Sequence, residues 1–315
     1  MSLHIVIGFG PAGAATARLL AEKGHSVRVV TKSGRSPEPG IEHVALDAAD
    51  SKRLIEASQG AAAIYNCAGP PYHRWASEWP PLASSVCAAA EATGAVLVML
   101  GNLYGYGPVD GPMTEKLPLA ATGPKGRIRA AIWEQARKLH EQGRIKAVEV
   151  RPSDFFGPGV TDGGHLAARA MPRLLRGKPV STLGDPDAPH SWSYLPDVAR
   201  VLVEVAGEER AWGRAWHVPT ELALSTRGMV DRLAAQSKNG TGHGAQAFAG
   251  RAGRSVGFLP PPDPRTERDP LPVRPPVRSR CKRLRSRIHG TGHPPIDEQI
   301  EATVNWWQER LATTA

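Results

Sequence analysis

Residues 3–35 read LHIVIGFGPAGAATARLLAEKGHSVRVVTKSGR, and this stretch decides the fold of the chain. The apolar run at residues 3–7 enters a glycine-rich turn at residues 8–13, and an alanine-rich segment at residues 14–21 reads as a helix. A strand that passes into a helix through Gly-x-Gly-x-x-Gly is the context in which this motif binds the pyrophosphate of a dinucleotide. The apolar residues 27–30 then read as a second, parallel strand. The alternative is a glycine turn that holds no ligand.

Each position of the turn has its own role in this interpretation. Gly8 permits the tight turn, Gly10 lets the backbone approach a pyrophosphate, and Gly13 lets the helix pack close to the strand. Pro11 and Ala12 belong to the first helical turn, where a missing N–H costs nothing and the free N–H groups can hold phosphates.

The loop after the second strand bears on the choice of cofactor. A cofactor with a free ribose 2′-hydroxyl usually meets an acidic side chain at this point. Here the strand runs into Thr31, Lys32 and Ser33, with Arg35 close behind. These side chains suit a 2′-phosphate, so the sequence favours NADP over NAD. The alternative is a basic loop that only contacts solvent.

Strands and helices alternate along the first half of the chain. The further predicted strands cover residues 43–47, 61–65, 95–100 and 147–150, and the helices between them cover residues 49–58, 82–93 and 125–142. This alternation predicts the α/β class, with a Rossmann-type, doubly wound parallel sheet and a smaller C-terminal lobe. Ligands of such sheets gather beyond the carboxyl ends of the strands, where Asp47, Ala68, Asn102 and Arg151 follow.

Composition excludes several classes of protein. No basic and apolar leader precedes the first strand, and three scattered cysteines give neither a disulfide framework nor metal spacing. A cytoplasmic protein without a metal site or a membrane partner is therefore expected. Residues 237–290 hold 12 basic and three acidic side chains, and the other residues hold 27 of each. The formal charge of +9 thus belongs to one segment, and no nucleic-acid partner is expected.

Further motifs follow the glycine turn in a fixed order. They are Asp47, NCAG at 66–69, Tyr106-Gly107 with Glu115 and Pro118, Lys125, RPSDFFGPG at 151–159, SYLPDVA at 193–199 and a closing helix at 296–307. In this order they resemble the extended short-chain dehydrogenase/reductase superfamily, and within it the NAD-dependent epimerase/dehydratase group. The resemblance covers residues 1–236 and about 291–311.

The resemblance implies a division of the chain. An NAD(P)-binding Rossmann domain would cover residues 1–153, and residues 154–236 would mix a substrate lobe with returning Rossmann elements. A C-terminal helix would cover residues 291–315. The substrate would be a small molecule, either a carbonyl or hydroxyl compound or a nucleotide sugar, and a homodimer is one assembly open to such a chain.

The resemblance also implies roles for single residues. Asp47 would contact the adenine amino group, and the turn that contains Asn66, Ala68 and Gly69 would pass along the cofactor. Lys125 would bind the nicotinamide ribose. As alternatives, Asp47 could cap a helix and Lys125 could be a surface lysine at a helix start.

Three positions depart from the family pattern. Ile7 stands where the family has the first glycine of its turn. Ala121 stands four residues before Lys125, where the family has its catalytic tyrosine. Gly101-Asn102 replaces the family's serine or threonine after the fifth strand.

The missing phenol raises the question of which group moves protons. A tyrosine becomes a useful acid or base when a nearby cation stabilises its phenolate, and Lys125 still offers that cation. Tyr104 and Tyr106 are the nearest aromatic hydroxyls in the sequence, so we expect catalysis to depend on one of them. Asn102 could donate a hydrogen bond to a substrate carbonyl. The alternative is that both tyrosines pack or face the substrate passively.

Three functions remain open at this point. The first is an NAD(P)-dependent oxidoreductase or epimerase of the extended short-chain type. The second is a catalytically silent NADP-binding sensor that kept the fold and lost the tyrosine. The third is an FAD-binding oxidoreductase, because the turn at residues 8–13 also resembles an FAD turn, although the acidic residue expected after the second strand is absent.

Residues 237–290 have a different character from the rest of the chain. They contain eight prolines and ten arginines, with no period of 2 or 3.6 and too few apolar residues for a core. We expect this basic segment to be disordered and cut first by trypsin, among the arginines from 251 to 287. One hypothesis is a pair of compensating frameshifts, which resequencing of the gene would test. The alternative is a natural basic insertion.

Overall fold

The structure is a computed structural model, and it describes residues 1–34, 38–161, 164–182, 184–220, 223–237 and 294–314. The expectations for residues 238–290, including disorder, trypsin cleavage and the frameshift, lie outside the described residues, and so does Arg35. Within the described ranges, no helix combines the length and the apolar composition needed to cross a bilayer.

A parallel sheet of seven strands forms the centre of the molecule. The strands of the chain are β1 (Leu3–Ile7), β2 (Ser26–Thr31), β3 (Ile41–Ala45), β4 (Ala61–Asn66), β5 (Val96–Leu100), β6 (Lys146–Arg151), β7 (Asp154–Phe156), β8 (Trp192–Tyr194) and β9 (Ala215–His217). The sheet order is β3-β2-β1-β4-β5-β6-β9, and every neighbouring pair is parallel. The predicted Rossmann-type sheet is confirmed.

Helices cover both faces of this sheet. They are α1 (Pro11–Glu22), α2 (Ser51–Ala57), α3 (Trp75–Thr93), α4 (Pro124–Glu141), α5 (Met171–Leu174), α6 (Leu195–Gly207), α7 (Thr226–Gln236) and α8 (Ile296–Thr314). Side chains alternate between the faces along each strand. Val6 of β1 belongs to the core beneath α1 and α6, whereas Ile5 and Ile7 belong to the core beneath α2, α3 and α4. Burial on both faces explains why the strands read as continuous apolar runs.

Helix α3 is longer than the sequence predicted. The predicted helix began at residue 82, but α3 begins at Trp75 and continues through Pro80 and Pro81. Proline removes helical hydrogen bonds, which is why the prolines suggested a later start. Trp75 and Trp79 are both buried against the sheet, at 6% and 2% exposure, and this packing outweighs the lost bonds.

The chain after β6 builds a smaller unit and then returns to the sheet. Strands β7 and β8 form a separate parallel pair, and β9 adds to the edge of the main sheet beside β6. Helix α8 buries Ile300, Val304 and Trp307, which lie on one face of the helix. Helix α8 packs against α5 and α7, and these three buried side chains belong to a core that extends to α1 and α6.

Candidate active site at the carboxyl edge of the sheet

The β1–α1 turn has the backbone geometry that a close ligand approach requires. Gly8 has φ +90°, and a Cβ there would lie 2.7 Å from the Cα of Ala68. A Cβ at Gly13 would collide with the Gly8 carbonyl. Both glycines therefore bring the turn, α1 and the end of β4 into close contact. Pro11 occupies the first position of α1, and Ala12 is buried beneath it.

Gly10 differs from the other two glycines. It caps the amino end of α1 in an extended conformation, and a Cβ at this position would meet no described atom within 4 Å. The space beside Gly10 is therefore open, whereas the rest of the turn is tightly packed. An open backbone at a helix amino terminus, where free N–H groups carry partial positive charge, fits a phosphate group.

The residues predicted to contact the adenosine end lie together beyond β2 and β3. Lys32 Nζ lies 3.2 Å from Asp47 Oδ2, and both side chains are more than half exposed. The backbone N–H of Ala49 and the Lys32 ammonium lower the pKa of the Asp47 carboxyl. Thr31 Oγ1 accepts a hydrogen bond from the Gly34 N–H, and Ser33 is exposed. The helix cap of α2 is Asp50, which leaves Asp47 available to a ligand.

The end of β4 brings three more predicted residues to this edge. Asn66 is 2% exposed, and its Oδ1 has no hydrogen-bond partner among the described residues. Ala68 packs against Gly8, and the Cα of Gly69 faces open space. The turn after β4 therefore runs directly beside the glycine turn.

Tyr104 lies at the centre of the next part of the edge, in a short 3₁₀ helix (Tyr104–Tyr106) after β5. Its backbone N–H donates to Asn102 Oδ1 at 3.0 Å, which fixes the amide and leaves the Asn102 nitrogen as a donor. The Tyr104 hydroxyl lies 3.0 Å from the hydroxyl of Tyr72. Lys125 Nζ, at the start of α4, lies 5.2 Å from the centre of the Tyr72 ring. The hydroxyls of Tyr72 and Tyr104 and the ammonium group of Lys125 therefore lie close together at this edge of the sheet.

Tyr106 is placed differently from Tyr104. It is 1% exposed, and its hydroxyl lies 2.7 Å from His217 Nε2 and accepts a 2.7 Å hydrogen bond from Arg151. The Arg151 Nε donates to Glu149 at 2.6 Å within the same buried network. Burial raises the pKa of Tyr106 to about 12, although Arg151 opposes the shift. This position favours a structural role, and Tyr104 remains the tyrosine at the open edge.

Hydrogen bonds join Arg151, Tyr106 and His217 in the buried network. Burial, reinforced by Arg151, lowers the pKa of His217 to about 3, so its ring is neutral near pH 7. The Tyr106 oxygen accepts from Arg151 and forms a second hydrogen bond with His217 Nε2, whose donor is set by the imidazole tautomer. Glu115 also accepts a hydrogen bond from the His217 backbone N–H.

Replacing Tyr106 with phenylalanine should lower the free energy of unfolding by about 1–3 kcal/mol, because buried Arg151 and His217 each lose a partner. Urea unfolding of Tyr106→Phe measures this. Tyr104→Phe removes a hydroxyl at the open edge, so it should lower the free energy of unfolding much less. Equal stability of Tyr106→Phe and the parent would contradict the network.

Ala121, at the family's tyrosine position, lies before α4 rather than within it. Helix α4 begins at Pro124 with Gly123 as its cap, and the Ala121 N–H donates to the Gly105 carbonyl. The chain around Ala121 is tightly packed, since a Cβ at Gly126 would collide with it. Position 121 therefore contributes only a methyl group, and that group packs against the start of α4.

Two residues at the site were not found from the sequence. Tyr72 follows β4 by six residues, and its position after a strand end was the available signal. Arg129 is 7% exposed, donates to the Leu100 carbonyl at 2.6 Å, and lies 4.6 Å from the Trp79 ring centre. It has electrostatic contact with both Tyr72 and Tyr104. Nothing in the sequence around Arg129 marked it as buried.

Comparison with solved structures places this fold among sugar-nucleotide enzymes. UDP-glucose 4-epimerase from Thermotoga maritima, solved with UDP-glucose, has a TM-score of 0.76 and 15% identity, over 99% of this chain and 100% of that chain. The dTDP-glucose 4,6-dehydratase of Bacillus anthracis, in complex with NAD, has a TM-score of 0.77 and 15% identity, over 98% and 97%. The corresponding enzyme of Streptomyces venezuelae, with NAD bound, has a TM-score of 0.77 and 18% identity, over 99% and 98%. At these identities the likeness concerns the fold.

A comparison with curated protein sequences found no match. The model of the NAD dependent epimerase/dehydratase family, in contrast, matches residues 5–218, which include the glycine turn, the Tyr104 region and β9. This match spans more than half of the chain. The chain belongs to the NAD-dependent epimerase/dehydratase family.

Proposed function

We propose that this protein is an NAD(P)-dependent oxidoreductase or epimerase that acts on a carbonyl or hydroxyl carbon of a nucleotide sugar or a related small molecule. The observation that carries the proposal is the open backbone at Gly10 inside an otherwise tightly packed turn. Such a turn fits a dinucleotide pyrophosphate, and the family description supports a nicotinamide rather than a flavin. If the purified protein were yellow from bound flavin, the FAD alternative would be favoured instead.

Different residues would bind the cofactor and transfer the proton. The amino end of α1, with Gly8, Gly10, Pro11, Ala12 and Gly13, would hold the pyrophosphate. A bound nicotinamide supplies or accepts the hydride.

On the substrate side, Asn102 would donate a hydrogen bond to the reacting oxygen and Tyr104 would give or take its proton. Lys125 would bind ribose hydroxyls and stabilise negative charge on the phenol. Asn66, Ala68 and Gly69 would line the path between the two ends of the cofactor. Asp47 would contact the adenine.

The substrate class is tested with UDP-glucose and dTDP-glucose, because the solved neighbours include enzymes of these compounds. Each is incubated with the protein and NAD⁺ or NADP⁺, and the sugar is followed by NMR. We expect a changed sugar with at least one of them. The second candidate is a catalytically silent cofactor-binding sensor, which the alanine at position 121 suggests. Tight cofactor binding without turnover of either sugar, or of simple ketones and aldehydes, would favour this candidate.

We further propose a preference for NADP over NAD, based on Lys32 and the lack of an acidic side chain after β2. Lys32→Gln should weaken NADPH binding about 10-fold, because one charge-assisted hydrogen bond is lost, and should leave NADH nearly unaffected. Fluorescence titration with both cofactors measures the ratio. Lys52→Gln, on the exposed face of α2, is the matched control. If the ratio of NADPH to NADH affinity is unchanged in Lys32→Gln, Lys32 does not bind the 2′-phosphate and only forms its ion pair with Asp47.

A further inference from the structure

Tyr72 is held in place next to Tyr104 by its own contacts. It opens a short 3₁₀ helix (Tyr72–Arg74) between β4 and α3, and its ring stacks on Trp75 at 4.9 Å with planes 14° apart. The Trp75 N–H donates to the Pro70 carbonyl at 2.8 Å and anchors the stack. These contacts hold the Tyr72 ring in place, so its hydroxyl stays 3.0 Å from the hydroxyl of Tyr104.

The two phenols differ in access to solvent. Tyr72 is 53% exposed, whereas Tyr104 is only partly exposed and its ring lies 6.0 Å from Trp75. Hydrophobic burial does not explain a large aromatic side chain left open in this way. Tyr72 is thus an exposed side chain whose hydroxyl lies within hydrogen-bond distance of the inner phenol.

Positive charge surrounds the pair from α4. The Lys125 ammonium lies over the Tyr72 ring, and the buried Arg129 guanidinium acts on both phenols. Glu149 lies behind Arg129 within the buried network and partly offsets its charge. A phenolate formed on either oxygen is stabilised by these cations and by the hydrogen bond from the other phenol.

We propose that Tyr72 relays protons between Tyr104 and solvent, so that the Tyr72–Tyr104 pair beside Lys125 replaces the phenol absent at position 121. This inference rests on the proposed function. In the direction of carbonyl reduction, the Tyr104 O–H bond breaks as its proton moves to the substrate oxygen. The Tyr72 proton then moves to the Tyr104 oxygen, and water restores Tyr72. The net change is one proton from solvent to the substrate, and the hydride comes from the reduced nicotinamide.

A titration of tyrosinate absorbance tests the pair without a substrate. The chain has five tyrosines, and burial raises the pKa of Tyr65, Tyr106 and Tyr194. The step of the titration that belongs to the pair is identified as the one that is lost or altered in Tyr104→Phe. Tyr72→Phe keeps the ring stack and removes only the hydroxyl that hydrogen-bonds to Tyr104, so it should move the midpoint of that step upward by about one pH unit. Tyr194→Phe is the matched control and should leave the midpoint unchanged.

An unchanged midpoint in Tyr72→Phe would overturn the phenol pair. A second readout is turnover of the nucleotide sugar that the parent converts, for which Tyr72→Phe should lower kcat at least about 10-fold with cofactor affinity unchanged. Equal kcat would also overturn the relay. A parent protein that shows the paired titration but converts no substrate would overturn the proposed function instead, so the two failures are distinguishable.

Discussion

Replacing Gly10 with valine is expected to abolish dinucleotide binding while the protein stays folded. A Cβ at Gly10 meets no described atom within 4 Å, so we expect the fold to accept a side chain that starts in this open space. It would instead fill the space that a pyrophosphate needs above the amino end of α1. We expect the affinity for NADPH and NADH to fall at least about 100-fold, equivalent to roughly 3 kcal/mol. Fluorescence titration of the bound cofactor measures the change.

The matched control for this variant is Gly207→Val. Gly207 also faces open space, but it lies at the end of α6. Both variants should unfold close to the parent temperature, and only Gly10→Val should lose the cofactor. Parent-like affinity in Gly10→Val would remove the glycine turn from the binding site.

Replacing Tyr104 with phenylalanine is expected to lower kcat by roughly 10²-fold or more, because proton transfer requires a donor in direct contact with the reacting oxygen. Cofactor affinity should stay nearly constant, since the hydroxyl lies on the substrate side of the proposed site. Steady-state kinetics with the converted sugar, together with a cofactor titration, measure both quantities.

Tyr106→Phe makes the same chemical change two residues away. Because the Tyr106 hydroxyl is enclosed by Arg151 and His217, its loss should reduce stability more than proton transfer. A larger fall of kcat in Tyr106→Phe than in Tyr104→Phe would make Tyr106 the donor. If both variants turn over like the parent, the proton comes from another source, such as water bound by Asn102.

The sheet could be predicted because its signals are local. Each strand is a short apolar run, and the turn at residues 8–13 joins strand to helix within six residues. Helix α3 was predicted too short because Pro80 and Pro81 are strong local signals, whereas the burial of Trp75 depends on the whole sheet.

The site was only partly predictable because its contacts join distant segments. The Tyr72–Tyr104 pair is separated by 32 residues, and the Tyr106–His217 pair by 111. Two tyrosines two positions apart looked equivalent in the sequence. Their surroundings differ because the Tyr106 hydroxyl is bonded to buried Arg151 and His217, whereas the Tyr104 hydroxyl lies beside that of the exposed Tyr72.

Amide hydrogen exchange, measured with and without NADPH and NADH, tests the location of the dinucleotide most directly. The account predicts slower exchange at residues 8–14, at residues 66–72 and around Tyr104 when the cofactor is added. Helix α8, which contributes no residue to the proposed dinucleotide site, should exchange at the same rate in both states. Protection confined to other segments, with residues 8–14 unchanged, would contradict a dinucleotide site at the β1–α1 turn.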